Sequence, residues 1–401
     1  MLLNKAHAFD IMDKYNLDGL IAVTARNVYY LTDHASFSNR TQKVFYEYAV
    51  LPRAEDAPAA LIISAPELPW LADDPTWVSN VVSYTHAVPP AGVPLTWPRR
   101  EGSDLPPREQ QWLAIEEKYR DRICSTPFHA LKRALRDAEL EKATVGCDDP
   151  RVVTWLNDLG LEGLKGVEAT NIFREIRVIK SEEEIAVMRQ AARVNENGLN
   201  AGLGAIHKGA TWNDVERAYF TEVVQQGGHG VYITPGPGGL SHDTIVPGEP
   251  IMVDALGQFR FYHGDLGRTA VIGEPTKEMR TRNRAMAAGW ERAFEMIKPG
   301  VTGSTLIEAV LDTIRGEGFP EFHLVVPHSV GLEHTDHPVP IGPEMAEPLG
   351  EFVFRENMTV NVDLPYHEFG WGAMHLEDTI VVTADGCEAL TSEATDLFVI
   401  P

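Results

Sequence analysis

The pattern of apolar and polar positions divides the chain into two parts with different orders of elements. Up to about residue 165, short apolar runs such as LDGLIAVTA and ATVGCDD alternate with helical segments, which predicts strands between helices. Beyond that point, two segments with helical periodicity are followed by two apolar runs, and this order of elements occurs twice. We therefore predict an N-terminal α/β domain (residues 1–165) and a C-terminal α+β domain (residues 166–401).

Local signals predict where the C-terminal helices begin and which strands pair. Ser181 is followed three residues later by Glu184, which is the pattern of a capping box. Further helices are predicted after Thr211 and after Thr302. Two hairpins are predicted, PIMVDALG with GDLGRTAVIG and MTVNVDLPY with AMHLEDTIVVT. The repeated order indicates an internal duplication, with a sheet covered by helices.

Acidic and imidazole side chains recur in the apolar runs of the C-terminal part. In chain order they are Asp254, Asp265, His328, Asp363 and Glu377. An ionised carboxylate in an apolar strand is costly unless it is paired or bound to a metal, and nearby strands supply few basic residues. Carboxylate oxygens can bridge two divalent cations while an imidazole fills a terminal position. Together the five predict a two-metal hydrolytic site, whereas Asp265 alone is also explained as an ion-pair partner of Arg268.

A dense group of histidines surrounds His328, the third of these positions. His323, His328, His334 and His337 fall within one short segment that also contains Glu333 and Asp336. A lone histidine after an apolar run is more often a satisfied core residue. Such density favours a ligand surface or one that handles protons.

Charge and composition exclude several other classes of function. The net charge is −23, and no Lys/Arg cluster is larger than Arg99-Arg100, so a nucleic-acid partner is not expected. No apolar run approaches the roughly 20 residues that span a bilayer. Three isolated cysteines argue against a disulfide framework and favour a cytoplasmic location.

At these residues the chain resembles the pita-bread metallopeptidases, which include aminopeptidase P, prolidase, methionine aminopeptidase and the non-peptidase creatinase. The similar segments are LDGLIAVTARNVYYLTD, FREIRVIKSEEEIAVMRQAA, IMVDALGQFRFYHGDLGRT, HSVGLEHTDHP, MTVNVDLPY and AMHLEDTIVVTADGCEALT. The resemblance covers nearly the whole chain. It implies a C-terminal pita-bread fold, an N-terminal creatinase-like domain, a homodimer, and two divalent ions (Mn, Fe, Co or Zn) held by the five residues named above.

The resemblance also implies roles for single residues, with three departures. His242 matches a substrate-binding and catalytic histidine of the family. Asp363 stands where the family normally has a glutamate that is both metal ligand and general base. Thr335 stands where the peptidases have a second histidine, and either His334 or His337 could replace it. The stretch between His242 and the first Asp ligand also looks shorter than in typical peptidases.

Two reactions and one binding role are consistent with these features. The first is hydrolysis of a small amide or an Xaa-Pro-like peptide, with water activated by the metal pair. The alternative is a metal-dependent lyase resembling the branch that cleaves dimethylsulfoniopropionate. Aromatic residues would suit its cationic substrate, among them Tyr232, Tyr262, Tyr366 and Trp371, although aromatic residues are more often core. A non-catalytic binding protein is the least favoured, because the ligand set is intact in charge.

Overall fold

The computed structural model describes residues 1–85, 100, 102–235, 243–341, 351–392 and 395–401. The chain forms two structural units, Met1–Ile176 and Arg177–Pro401. The division lies C-terminal to the predicted one at residue 165, because the strand Lys165–Glu168 pairs with Thr144–Cys147 of the first unit.

The first unit is a seven-stranded mixed sheet with helices between its strands. Its strands are β1 (Gly19–Ala22), β2 (Tyr48–Pro52), β3 (Ala60–Ser64), β4 (Asn80–Tyr84), β5 (Ile123–Cys124), β6 (Thr144–Cys147) and β7 (Lys165–Glu168). Its helices are α1 (Lys5–Lys14), α2 (Ala25–Thr32), α3 (Phe37–Arg40), α4 (Pro107–Tyr119), α5 (Pro127–Asp137), α6 (Arg151–Asp158) and α7 (Thr170–Arg177), which runs into the second unit. The strand order is β5-β4-β3-β2-β1-β6-β7.

The second unit repeats the predicted order of two helices followed by a hairpin. Its helices are α8 (Glu182–Gly204), α9 (Trp212–Gln225), α10 (Lys277–Met296) and α11 (Gly303–Gly316). Its strands are β8 (His229–Thr234), β9 (Ile251–Phe259), β10 (Tyr262–Ile272), β11 (Val326–Ser329), β12 (Thr359–Glu368), β13 (Gly372–Val382), β14 (Cys387–Ala389) and β15 (Phe398–Ile400). The main sheet has the order β11-β12-β13-β10-β9-β8 and is antiparallel along that path. No helix among the described residues is both long and apolar enough to cross a membrane.

Each long hairpin of this sheet is covered on one face by the two helices that precede it in the chain. Helices α8 and α9 pack through residues such as Val194 and Tyr219 on Val253 and Leu266 of the β9–β10 hairpin. Helices α10 and α11 pack in the same way on the β12–β13 hairpin. The two hairpins join where β10 pairs with β13, so the opposite faces of both hairpins form one continuous surface.

Two predicted helix starts have the expected hydrogen bonds. The Glu184 amide donates to the Ser181 hydroxyl, and the Glu184 carboxylate accepts from the Ser181 amide, which confirms the capping box. The side chain of Thr302 accepts from the Thr305 amide at the start of α11. These bonds satisfy amides that would otherwise lack partners at the first turn of each helix.

A buried ion pair lies on the helix-covered face of the sheet. The guanidinium of Arg268 on β10 donates to the carboxylate of Asp378 on β13 over 2.7 Å, and Thr391 Oγ1 donates to the same carboxylate. Burial raises the pKa of Asp378 to about 6, although the neighbouring Arg268 charge acts in the opposite direction. The pair therefore joins the two hairpins at a place where neither charge reaches water.

The Arg268–Asp378 pair should contribute far more to stability than a surface pair of similar geometry. Arg268→Met leaves a buried carboxylate without its cation, so we expect the free energy of unfolding to fall by about 3–5 kcal/mol in urea denaturation. Arg189→Met is the matched control, because the Arg189–Glu388 pair is about half exposed, and it should cost less than about 1 kcal/mol. Equal losses in the two variants would contradict the assignment.

Candidate metal centre

Three of the predicted acids lie in one row across neighbouring strands of the second unit. Gly267 on β10 pairs with Asp254 on β9 and with Glu377 on β13, and Glu377 pairs with Asp363 on β12. Residues paired in register lie on the same face of a sheet, so the three carboxylates point to the same side. This side is the one that the four helices leave uncovered.

The other two predicted ligands lie in the adjacent row on the same face. Asp265 is two residues from Gly267 along β10, and an offset of two keeps the face. His328 on β11 pairs with Asn361, which is two residues from Asp363 on β12. The structure thus brings all five predicted side chains together from four separate strands and the short strand β11.

The distances within this group suit the binding of cations. His328 Nε2 lies 3.4 Å from Glu377 Oε1 and 3.9 Å from Asp265 Oδ2. Three sets of side chains have possible ligand atoms within 4.8 Å of one another: Asp265–His328–His334, His328–Asp363–Glu377 and Asp254–His375–Glu377. Neighbouring sets that share His328 or Glu377 are what a site with more than one cation requires.

The surroundings of the Asp265 carboxylate test whether a cation fits this group of side chains. Its side chain is 1% exposed, and neither carboxylate oxygen has a hydrogen-bond partner among the described residues. Burying a carboxylate without a partner costs several kcal/mol. Arg268, the alternative ion-pair partner, is three residues along the strand and therefore on the opposite face, where it binds Asp378. The donor set fits divalent metal ions.

The carboxylates perturb one another strongly. Burial, reinforced by the charge of Glu377, raises the pKa of Asp254 to about 7 and raises the pKa values of Asp265 and Asp363. Glu377 differs, because the hydrogen bond to His328 and the charge of His375 outweigh its burial and lower its pKa to about 2. Without cations, Glu377 is therefore the acid that ionises most readily, and burial disfavours the charged forms of Asp254, Asp265 and Asp363.

The structure separates the two histidines that could replace the family's second histidine. His334 Nε2 lies 3.4 Å from Asp265 Oδ2, and its ring stacks on that of His328 with centroids 4.8 Å apart. His337 instead accepts the amide hydrogen of Ser329 at Nδ1, and its ring packs on Phe352. His334 therefore belongs to the group and His337 supports the loop behind it.

A buried ionic cluster holds the loop that carries these histidines. The Asp336 carboxylate accepts from Arg177 Nε over 2.9 Å and from Lys180 Nζ over 3.2 Å, and it also accepts the Leu332 amide hydrogen. These cations hold the pKa of Asp336 well below its usual range despite its burial. An added Cβ at Gly331 would overlap the Asp336 carboxylate, so the loop needs glycine there.

The predicted aromatic contacts to substrate lie on the wrong face of the sheet. Tyr262 is three residues from Asp265 on β10, so it points to the helices, where it is fully buried and its hydroxyl donates to Glu184. Tyr366 has the same offset from Asp363 on β12 and lies in the helix-covered core. An odd offset along a strand reverses the face, which argues against substrate contact for both residues.

Trp371 is also placed away from the metal centre. It packs against the same core, and the guanidinium carbon of Arg282 lies 4.0 Å from its ring centroid. Arg282 is also within cation–π distance of Tyr366 and Phe319. The protein's own arginine thus occupies these rings. His242, the remaining predicted residue, lies outside the described residues.

Two side chains outside the predicted ligand set also reach the site: His375, which the sequence reasoning did not name, and Tyr232, which it named only as an aromatic residue suited to a cationic substrate. His375 Nε2 lies 2.6 Å from Asp363 Oδ1 and 3.6 Å from Glu377 Oε2. The Tyr232 hydroxyl on β8 lies 3.5 Å from both oxygens of Asp254. The sequence contains a signal for His375, which is two residues from Glu377 on a strand and hence on the same face.

The unpaired burial of Asp265 predicts a pH-dependent stability difference in metal-free protein. Because its pKa is raised on folding, Asp265 lowers the stability of wild-type protein as pH rises above the unfolded value near 4, and an Asn variant lacks this contribution. After chelation, Asp265→Asn should therefore be more stable than wild type, with an advantage that grows from pH 5 to pH 7.5. Chemical denaturation at several pH values measures it.

Asp214→Asn is the control of opposite sign for this measurement. Hydrogen bonds from Thr211 lower the pKa of Asp214, so its stabilising effect is complete above pH 4. This variant should be less stable than wild type by an amount that stays constant from pH 5 to pH 7.5. An Asp265→Asn variant that behaved in the same way would contradict the repulsion described above.

Comparison with known proteins agrees with this geometry. Residues 171–384, more than half of the chain, match metallopeptidase family M24. The chain is 26% identical over 242 residues to an Xaa-Pro dipeptidase of Pyrococcus horikoshii, which covers 57% of this chain and 66% of that protein. It is 27% identical over 252 residues to a probable dipeptidase PepE of Mycobacterium tuberculosis, covering 60% of this chain and 65% of that protein. The chain thus spans slightly less than two thirds of these curated relatives.

Solved structures show the same fold over the whole chain. The prolidase from Pyrococcus horikoshii OT3 has a TM-score of 0.69 at 20% identity, covering 97% of each chain. The X-Pro aminopeptidase from Thermotoga maritima MSB8 has a TM-score of 0.71 at 19% identity, covering 98% of this chain and 100% of that one. With the family match and the carboxylate–histidine face, these similarities lead to one conclusion: the chain belongs to metallopeptidase family M24 and has the pita-bread fold.

Proposed function

We propose that this chain is a metal-dependent hydrolase that cleaves an Xaa-Pro-like dipeptide or a related small amide. The observation that carries the proposal is the face on which Asp254, Asp265, His328, Asp363 and Glu377 converge, with the Asp265 carboxylate buried and unpaired within the described residues. The M24 match and the dipeptidases among the relatives support the same reaction class.

Those five residues would hold two divalent ions in this proposal. Bound ions of this kind lower the pKa of water and polarise a carbonyl group, which is what amide hydrolysis at neutral pH needs. Four carboxylates match the four positive charges of two divalent cations. The mutual repulsion that raises the pKa values of Asp254, Asp265 and Asp363 would then be relieved.

The remaining side chains have roles set by their positions. Asp363 would accept the proton of the attacking water at Oδ2, while its Oδ1 accepts the short hydrogen bond from His375 Nε2 that orients the carboxylate. His334 is about half exposed at the edge of the group, where its ring can donate to the developing oxyanion. The Tyr232 phenol keeps its proton, since burial raises its pKa, and it can donate at the Asp254 side. His242 stays a predicted substrate contact.

The elimination reaction is not retained as a second candidate. It depends on aromatic side chains around a cationic substrate, yet Tyr366 and Trp371 surround Arg282 and Tyr262 binds Glu184 on the other face of the sheet. Of these four aromatic residues, Tyr232 alone lies beside the acids. A non-catalytic role is disfavoured because the acidic set is complete. The homodimer and the cytoplasmic location stay predictions from the sequence.

Metal dependence and reaction class can be tested together. Purified protein should release proline from an Xaa-Pro dipeptide panel, lose this activity on chelation, and regain it with Mn, Co, Zn or Fe(II). Glu377→Gln should lower kcat/KM by about 100-fold or more, because the residue contributes to two of the three ligand sets. Wild-type protein that hydrolyses no dipeptide, or that does so unchanged after chelation, would refute the proposal.

Substitutions of the two loop histidines, His334 and His337, should lower kcat to very different extents. Because His334 is in the group and His337 is behind it, His334→Gln should lower kcat by about 10²–10³-fold with little change in metal content. His337→Gln changes the contacts to Ser329 and Phe352, away from the acids, and should lower kcat by a few-fold at most. Steady-state kinetics with metal analysis measures both, and the reverse order would transfer the role to His337.

A further inference from the structure

His375 lies on the metal-binding face and is held there by the shape of the sheet. It is two residues from Glu377 along β13, so both side chains share a face. Its ring lies directly over Gly267, where an added Cβ would overlap Nδ1, Cγ and Cε1. The glycine between Asp254 and Glu377 in the row of acids therefore leaves the space that this imidazole fills.

The two ring nitrogens of His375 have different surroundings. Nε2 is 2.6 Å from Asp363 Oδ1, a distance typical of a charge-assisted hydrogen bond in which the ring donates. Nδ1 is buried and has no hydrogen-bond partner among the described residues, and the whole side chain is 3% exposed. A neutral imidazole that donates from Nε2 carries its lone pair on Nδ1. The hydrogen bond to Asp363 and the nearby acidic charges favour a positively charged ring in metal-free protein, so a cation that binds at the unpartnered Nδ1 must displace a proton.

A ligand atom of His375 lies within 4.8 Å of ligand atoms of Asp254 and Glu377. We propose that His375 is itself a metal ligand through Nδ1, at the position that it shares with Asp254 and Glu377. The donation from Nε2 to Asp363 would fix the ring orientation, as a carboxylate does for metal-bound histidines in general. The inference rests on the proposed function, because it requires that metal ions occupy this face.

With His375 as a ligand, the donor set contains more nitrogen than the five predicted ligands, of which only one is a histidine. His328 and His334 lie beside Asp265 at one position, and His375 lies beside Asp254 and Glu377 at the other. Imidazole suits zinc, cobalt and iron, whereas manganese favours oxygen ligands. Both positions should therefore discriminate against manganese more than an oxygen-only site would.

A crystal structure of the zinc-loaded wild-type protein tests the inference without any substitution. Anomalous scattering should place one ion about 2.0–2.1 Å from His375 Nδ1. Two ions on this face with Nδ1 more than about 3 Å from both would overturn the inference and leave the proposed function intact. Absence of any ion after loading would refute the proposed function instead.

Calorimetric titration of chelator-treated protein separates ligation from hydrogen bonding. His375→Gln keeps an amide donor for Asp363 but removes the imidazole, so zinc affinity for one of two equivalents should fall by about 10-fold or more, and manganese affinity by less. His207→Gln, at an exposed position after α8, is the matched control and should bind like wild type. Equal losses for zinc and manganese, or no loss, would show that His375 only bonds to Asp363.

A second variant covers the case in which His375→Gln does not fold, as judged by circular dichroism. Gly267→Ala retains the imidazole but places a methyl group in the space under its ring. It should reduce zinc affinity at the same equivalent, with the preference for zinc over manganese also reduced. Wild-type zinc affinity at both equivalents in this variant would overturn the inference.

Discussion

The central constraint in the second unit is the burial of several carboxylates close together on one face of the sheet. Asp265 is the clearest case, because both of its oxygens lack hydrogen-bond partners among the described residues. A folded chain tolerates such a group only if it is protonated or if a cation neutralises it. The same burial that is unfavourable without cations would favour their binding.

The opposite face of the same strands explains how these acids are held in place. Helices α8 to α11 cover that face with apolar contacts, and the buried Arg268–Asp378 pair joins the two hairpins there. Because side chains alternate between faces, a slip of one residue in register would move the acids into the helical core. Packing on one side thus determines the geometry of the ligands on the other.

Glycines and one ionic cluster complete the arrangement. Gly267 leaves room for the His375 ring between two acids, and Gly331 leaves room for Asp336 in the histidine loop. Asp336 in turn connects that loop to Arg177 and Lys180. These contacts explain why His334 lies near Asp265 and His337 lies behind the loop, since neither orientation follows from a repeating pattern.

The sequence by itself determined the helix starts, the two hairpins and the placing of five acidic and imidazole side chains in the apolar strands, because caps and strand periodicity depend on neighbours along the chain. It also contained, through strand parity, the reason that Tyr262 and Tyr366 face the core and that His375 faces Glu377. Only the tertiary structure decided which of His334 and His337 lies beside the acids. It also placed the His375 ring over Gly267. Those outcomes depend on loop anchoring and on pairing between strands that are distant in sequence, which no local spacing encodes.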